Sequence, residues 1–184
     1  MRFTKYVLTA LVLAGCAHGK MGHIEQPLEK NSVSKNETIY VTPIKADSAV
    51  ISGDKAGDTN RTESIKAEIH NRFAREVADQ LRKKGFKAQA VESAPANGMV
   101  LSGKVSKIEN GSAAARIMVG MGAGSANMFT DFKLTNAKSQ KVLGKFEIIA
   151  TSGGNGGFQA AGSYLNAHII DGAEKAAAYI SESN

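Results

Sequence analysis

The sequence predicts an α+β fold in which two helices cover one face of a single mixed sheet of four to five strands. Two long stretches, residues 60–84 and 163–181, repeat apolar residues with the period of a helix. Shorter stretches rich in β-branched and aromatic residues lie before and between them. The resulting order, β-α-β-β-β-β-α, favours two helices packed on the same side of one sheet.

The first 15 residues have the pattern of a secretory signal peptide. Arg2 and Lys5 precede an apolar run at 6–14, and the small residues Ala14 and Gly15 follow it. The apolar run is much shorter than the roughly 20 residues that a membrane-spanning helix needs. Residues 1–15 are therefore predicted to direct export and to be removed.

The motif Leu13-Ala14-Gly15-Cys16 resembles the lipobox of bacterial lipoproteins. The resemblance implies that the Cys16 thiol receives a diacylglyceryl group, that the chain is cut between Gly15 and Cys16, and that the new amine is acylated, for example with palmitate. Ala17, rather than Asp, follows the cysteine, which by the same resemblance favours the periplasmic side of a Gram-negative outer membrane. The alternative is an ordinary signal peptide followed by an unrelated cysteine.

Residues 16–36 predict a lipidated cysteine followed by a flexible tether. The stretch is polar, contains Gly, Pro and Asn, and shows no sustained helical or strand period. About 20 flexible residues have a root-mean-square reach of roughly 25 Å. The tether would hold a single domain, residues 37–184, just off the membrane.

The first half of this domain predicts a βαβ unit. Strands are predicted at 37–44 and 86–91, with a loop at 47–59 and the long helix between them. Asn60 and Glu63 have capping-box spacing, and Gly85 is placed to end the helix in a left-handed conformation. The apolar stripe of the helix consists of Ile65, Ile69, Phe73, Val77 and Leu81, widened by Ala74 and Ala78. A helical connection of this kind predicts parallel strands.

The second half predicts an antiparallel meander and a closing helix. Strands are predicted at 99–108, at 126–135 with an earlier start at 116–119, and at 142–151. In the middle strand, one face carries Met128, Thr130, Phe132 and Leu134, and the opposite face carries Asn127, Phe129, Asp131 and Lys133. The stripe of the closing helix consists of Leu165, Ile169, Ala173, Ala176, Ala177 and Ile180.

An unusual stretch follows Arg116, where Gly120, Gly122 and Gly124 alternate along a predicted strand. Alternation removes every second side chain on one face, so another backbone can approach closely, or the strand bends. The spacing is not that of a phosphate-binding loop, and a strand rather than a helix follows. We interpret these four residues as a candidate surface for close packing, for a partner or for self-association.

Arg116, the alternating glycines and the strand-turn-strand that contains Asp131 resemble a family of bacterial envelope lipoproteins known only as a domain of unknown function. The resemblance covers about residues 37–180. Because no function is established for that family, the resemblance implies a place in the envelope rather than an activity.

Charge and composition exclude several classes of function. The chain has 23 basic and 17 acidic residues. Without Arg2 and Lys5 the net charge is +4, which is too mild to indicate nucleic-acid binding. Cys16 is the only cysteine, so no disulfide is expected within the chain. The histidines show no metal-ligand spacing, and no cofactor or metal is expected.

Two hypotheses about function remain. The first is a binding or assembly module, attached to the membrane through lipid on Cys16, with an envelope protein or a second copy as its partner. The second is a hydrolase or regulator of cell-wall or other envelope polymers, with Asp131 or Glu147 as candidate acids. Because no catalytic motif is visible in the sequence, the binding module is favoured over an enzyme.

Overall fold

Seven strands form one mixed sheet in the residues that the computed structural model describes, which are 19–111, 125–151 and 161–183. The strands are β1 (Lys20–Gln26), β2 (Thr38–Val41), β3 (Val50–Ser52), β4 (Lys87–Ala90), β5 (Met99–Glu109), β6 (Asn127–Asn136) and β7 (Val142–Thr151), and the helices are α1 (Thr59–Lys83) and α2 (Ala161–Glu182). The predicted α+β class is confirmed. The predicted number of strands was wrong, because β1 and β3 were not expected.

The sheet order is β1-β7-β6-β5-β2-β4. The predicted βαβ unit is confirmed, since β2 and β4 pair in parallel and α1 connects them. The predicted meander is also confirmed, since β5, β6 and β7 pair in antiparallel fashion. The short β3 pairs with β5 beyond the segment that β2 occupies, inside the stretch predicted to be a loop.

Both helices pack on one face of the sheet, and the predicted stripes are buried there. Phe73 of α1 and Phe132 of β6 meet edge to face with their centroids 6.0 Å apart. Phe132 stacks on Phe146 of β7 at 5.5 Å, and Phe146 contacts Tyr179 of α2 at 4.5 Å. This row of rings joins the helix layer to the centre of the sheet and forms part of the core.

The two ends of α1 differ in how well the sequence indicated them. Asp58, not Asn60, is the N-cap, and its Oδ1 accepts the Arg61 N–H at 3.1 Å. At the other end, Gly85 has the expected positive φ of 86°, and the Phe86 N–H donates to the Leu81 carbonyl at 3.1 Å. These bonds satisfy backbone groups that a helix terminus leaves open.

The N-terminal stretch is folded rather than a free tether. Residues 20–26 form β1, which pairs with β7 along one edge of the sheet. Leu28 and Val33 are buried in the core, and the Asn31 N–H donates to the Ser183 carbonyl at 2.8 Å. The predicted tether at 16–36 is therefore wrong from residue 19 onward, where the described chain is held by the fold.

The strands run between two ends of the sheet. We call one of them the Gly19 end, because Gly19 precedes β1 there. At this end Asn127 of β6 faces Thr151 of β7 on one side and Glu109 of β5 on the other. At the opposite end, the turn end, residues 137–141 connect β6 to β7. Asn110 and Gly111 follow β5 at the Gly19 end, and Gly111 has a positive φ of 68°.

Candidate functional site

The face of the sheet opposite the helices carries a groove of about 980 Å³. Its floor is formed by outward-pointing side chains of β1, β7, β6 and β5, and residues near 42–47 and 92–94 contribute to its wall. The charged side chains that line it are Glu25, Lys45, Asp47, Glu92, Lys104, Asp131, Lys133, Lys145 and Glu147. An antiparallel sheet with one face on the core and one face open to solvent is a common arrangement.

The register of β6 and β7 places like charges opposite one another on the floor of this groove. Asp131 faces Glu147, and Lys133 faces Lys145. Opposed like charges on neighbouring strands destabilise a sheet, whereas opposed unlike charges stabilise it. The two carboxylates and the two ammonium groups form adjacent rows separated by two residues, which is about 7 Å along a strand.

The edge strand β1 contributes to both rows. Glu25 Oε1 accepts an ion-pair contact from Lys145 Nζ at 2.8 Å. Glu147 Oε2 accepts the His23 N–H of the same strand at 3.2 Å. Among the described residues, neither Asp131 nor Lys133 has an ion-pair partner within 4 Å, although Asp131 also faces Lys104 of β5 across the sheet.

The structure brings together the two acids proposed for the hydrolase hypothesis. Asp131 and Glu147 lie opposite each other on neighbouring strands. Hydrolases that use two carboxyl groups place them on either side of the bond that is cut. Asp131 is exposed and Glu147 is half-buried on the open face of the sheet.

A second concavity lies between the starts of the two helices. Its volume of about 20 Å³ suits a single water molecule. His168 lines it and is 2 % exposed, and its Nε2 lies 3.0 Å from the Ala126 carbonyl oxygen. Burial lowers the pKa of the imidazole below its ordinary value of 6.5, because the charged form loses hydration. The burial and the contact with Ala126 indicate a structural role for His168.

The other residues singled out from the sequence lie outside the described residues: Gly15, Cys16, Arg116, Gly120, Gly122 and Gly124. His23, expected in the tether, lies in β1, and His70 is exposed on α1, and both of them line the groove. Within residues 19–111, 125–151 and 161–183, no group of three or more His, Cys, Asp or Glu side chains is arranged to hold a metal. No helix in those same ranges has the length and apolar character needed to cross a membrane.

Sequence reasoning missed the lysine row and the contribution of β1. The alternation in β6 put Asp131 and Lys133 on the outward face, which is where the structure has them. The identity of their partners on β7 depends on the strand register, and Glu25 was assigned to a tether. Periodicity gives the face of a strand but does not by itself give the residue opposite.

Three solved structures are similar to the chain. Protein XCC0632 from Xanthomonas campestris, of family DUF330, matches with a TM-score of 0.50 and 12% identity over 86% of this chain and 92% of that one. The PelC dodecamer of Paraburkholderia phytofirmans matches with a TM-score of 0.49 and 13% identity, over 83% of this chain and 97% of that one. A putative neuraminyllactose-binding hemagglutinin homolog from Helicobacter pylori matches with a TM-score of 0.36 and 11% identity, over 90% of this chain and 91% of that one. The similarity to XCC0632 extends to the fold alone.

No curated protein matches the chain closely enough to establish a relationship. A family model does match, over residues 39–156, which is more than half of the chain and runs from within β2 to beyond the end of β7, including α1. The expectation of a domain-of-unknown-function family is confirmed at this level. The chain belongs to the family described as Domain of unknown function (DUF4410).

Proposed function

We propose that this chain is a lipid-anchored binding module of the cell envelope, held on the periplasmic side of the outer membrane through Cys16. The uncovered face of the sheet is its binding surface. The anchor rests on the signal peptide and on the resemblance of residues 13–16 to a lipobox. The binding surface rests on the opposed like charges of β6 and β7.

The like-charged pairs carry the proposal because opposed like charges destabilise a sheet, and the opposite charges beside them, Glu25 next to Lys145 and Lys104 facing Asp131, offset this repulsion only in part. Each pair costs a few tenths of a kcal/mol up to about 1 kcal/mol relative to a neutral pair. Local arrangements that weaken a fold without an evident structural return are typical of functional sites. A ligand that places an anion over Lys133 and Lys145, and a cation over Asp131 and Glu147, would neutralise both rows at once.

The spacing of the rows indicates the chemistry of the partner. A ligand that fits carries an ammonium and a carboxylate about 7 Å apart, as peptides and amino-acid-bearing cell-wall fragments do. Exposed charges give individually weak interactions, so the ligand is expected to engage several of them together. This chemistry is compatible with an envelope protein or a peptide-bearing polymer as the partner.

The binding surface is tested with Lys133→Glu, which turns the pair with Lys145 into an attractive one. The lipidated protein, extracted in detergent, is used to capture envelope proteins and cell-wall fragments. We expect Lys133→Glu to lose at least tenfold in retained partner, a change of about 1.4 kcal/mol in binding. Its melting temperature should be unchanged or higher, because a repulsion has been removed.

Lys138→Glu is the matched control, since it makes the same change of charge at an exposed position in the β6–β7 turn, outside the groove. The acidic row is tested in the same way with Asp131→Asn. Its control is Glu174→Gln, which also removes one negative charge but lies on α2, outside the groove. Equal loss of binding in a variant and its control would show that net charge, not the groove, governs capture. Wild-type binding by Lys133→Glu would show that the binding surface lies elsewhere.

The anchor is tested with Cys16→Ser. The variant should move from the membrane fraction to the soluble fraction and should no longer incorporate a fatty-acid analogue, since the thiol that carries the lipid is gone. Persistence of the variant in the membrane fraction would contradict the anchor.

The hydrolase is the second candidate because Asp131 and Glu147 face each other. It predicts that soluble fragments are released from isolated cell wall and that Asp131→Asn and Glu147→Gln each abolish the release. The binding proposal predicts retention of cell-wall material without release.

A further inference from the structure

We infer that the Gly19 end of the sheet is the surface that faces the lipid headgroups, with the turn end directed away from the membrane. The inference rests on the proposed lipid anchor at Cys16, and it goes beyond it by assigning which part of the domain meets the membrane. It is carried by Gly19, the first residue that the structure describes, and by its contacts with the body of the domain.

Gly19 is fixed to the body of the domain. Its N–H donates to Oδ1 of Asp171 on α2 at 3.2 Å, and Oδ2 of the same carboxylate accepts the Thr151 N–H at 3.0 Å. A Cβ at position 19 would lie 2.7 Å from the Ile149 carbonyl oxygen, so the chain runs close against β7. Asp171 thereby ties the start of β1 to the end of β7.

Only Ala17 and His18 separate this fixed point from Cys16. Three Cα-to-Cα steps span at most about 11 Å when fully extended. A lipidated cysteine lies at the membrane surface, because its acyl chains are inserted in the bilayer. Gly19 is therefore held within about 11 Å of that surface, compared with the roughly 25 Å that a free 20-residue tether would allow.

Other described residues share the Gly19 end. Glu109, Asn127 and Thr151 lie beside one another there. The turn before α1 lies at this end as well, since the Asp54 N–H donates to the Gly111 carbonyl at 3.2 Å. The strand β6 runs from this end to the turn end over ten residues, about 30 Å.

The distribution of lysines favours the opposite orientation, in which the turn end faces the membrane. Exposed lysines are concentrated at the turn end: Lys35, Lys83, Lys84, Lys87, Lys138 and Lys141. Lysines near an anionic leaflet are worth about 1 kcal/mol each, so they favour tipping this end toward such a surface. The short link from Cys16 to Gly19 instead holds the Gly19 end at the membrane. To separate the two effects, the experiment uses a zwitterionic membrane first and an anionic membrane second.

The lipidated full-length protein is reconstituted into phosphatidylcholine vesicles that carry a nitroxide quencher on the headgroup. Cys16 is the only native cysteine and its thiol is consumed by the lipid, so one added cysteine can be labelled uniquely. Gly57→Cys places a fluorophore at the Gly19 end, where position 57 is exposed and a Cβ meets nothing within 4 Å. Lys138→Cys places the same fluorophore at the turn end.

We expect several-fold stronger quenching at position 57 than at position 138, in both kinds of vesicle. Equal quenching, or stronger quenching at position 138, would overturn the inference while leaving the anchor intact. Ten glycine and serine residues inserted between His18 and Gly19 should reduce the difference, because they add a reach of about 17 Å. An unchanged difference after this insertion would also overturn the inference.

The same labels in a Cys16→Ser background separate this inference from the proposed function. Without lipid, the protein should not associate with the phosphatidylcholine vesicles, and neither label should be quenched. Vesicle association that persists without Cys16 would contradict the anchor itself.

Discussion

Gly19 and Gly22 stand where neighbouring carboxylates occupy the space that a side chain would need. A Cβ at position 19 would collide with the Asp171 carboxylate and with the Ile149 carbonyl oxygen. A Cβ at position 22 would lie 2.8 Å from carbon atoms of the Glu147 side chain. In a sequence these glycines indicate flexibility, whereas here each lets another group approach the backbone closely.

We predict that Gly19→Ala destabilises the domain by about 1–3 kcal/mol, because the new methyl group has backbone on one side and the Asp171 carboxylate on the other. Gly57→Ala is the control, since its Cβ meets nothing within 4 Å, and it should be neutral or slightly stabilising. Thermal unfolding measures both, with each kcal/mol worth about 2–4 °C. Equal melting temperatures for the two variants would mean that residue 19 is not held as described.

His168 gives the fold a dependence on pH. Burial lowers the pKa of its imidazole in the folded state, and the smaller opposing influences are the hydrogen bond to Ala126 and the charge of Asp171. In the unfolded chain the pKa returns to about 6.5, so the unfolded state binds a proton first as the pH falls. The stability associated with the neutral ring is therefore complete above about pH 6.5 and is lost as the pH falls below it.

We predict that His168→Gln flattens the pH dependence of unfolding between pH 7.5 and pH 5. The variant keeps a donor that can reach the Ala126 carbonyl, but it does not titrate. Unfolding by urea at several pH values, compared with the wild type, gives the difference directly. A wild-type slope retained by the variant would assign the pH dependence to other groups.

At the scale of the elements, the register between β6 and β7 creates the groove's charge pattern. Both strands bury their even-numbered residues, as Phe132 faces Phe146 and Leu134 faces Gly144. Next to the turn, however, Thr135 pairs with Val142. The register therefore shifts by one residue between Leu134, which faces Gly144, and Thr135. A β-bulge of this kind is the usual way to add one residue to one strand.

Elements with a long periodic pattern could be predicted from the sequence, whereas short strands and the pairing between strands could not. α1 was predicted well because its buried residues recur every four positions and Gly85 marks its end. β3 was missed because three residues, Val50 to Ser52, carry too little periodicity to identify a strand. The groove was missed because Lys133 and Lys145 are brought together by the pairing of β6 with β7. The sequence of one strand does not determine the register of that pairing.

The helix layer depends on Phe73, which is fully buried and packs against the edge of Phe132. We predict that Phe73→Ala costs about 3–5 kcal/mol, from lost burial and from the cavity left behind. Asn71→Ala on the exposed side of α1 is the control and should stay within about 0.5 kcal/mol of the wild type. A small effect of Phe73→Ala in urea unfolding would contradict the packing of α1 on the sheet.

At the scale of the whole molecule, the groove and the proposed membrane contact at the Gly19 end lie in different parts of the domain. The helices cover one face of the sheet, the groove opens on the other, and the proposed membrane contact lies at one end of the strands. With the Gly19 end at the membrane, the groove opens beside the domain rather than toward the lipid. In this proposed orientation, the proposed binding surface stays accessible to a partner while the proposed lipid anchor is in the membrane.

The central claim, that the uncovered sheet face binds a partner in the envelope, is tested most directly by photo-crosslinking in intact cells. A photoreactive amino acid at Lys104, in the groove, is compared with one at Glu174, exposed on the helix layer. We expect adducts from position 104 and none from position 174, and we expect Lys133→Glu to abolish the adducts while Lys138→Glu does not. Adducts from position 174 in place of 104, or adducts at 104 that survive Lys133→Glu, would contradict the account.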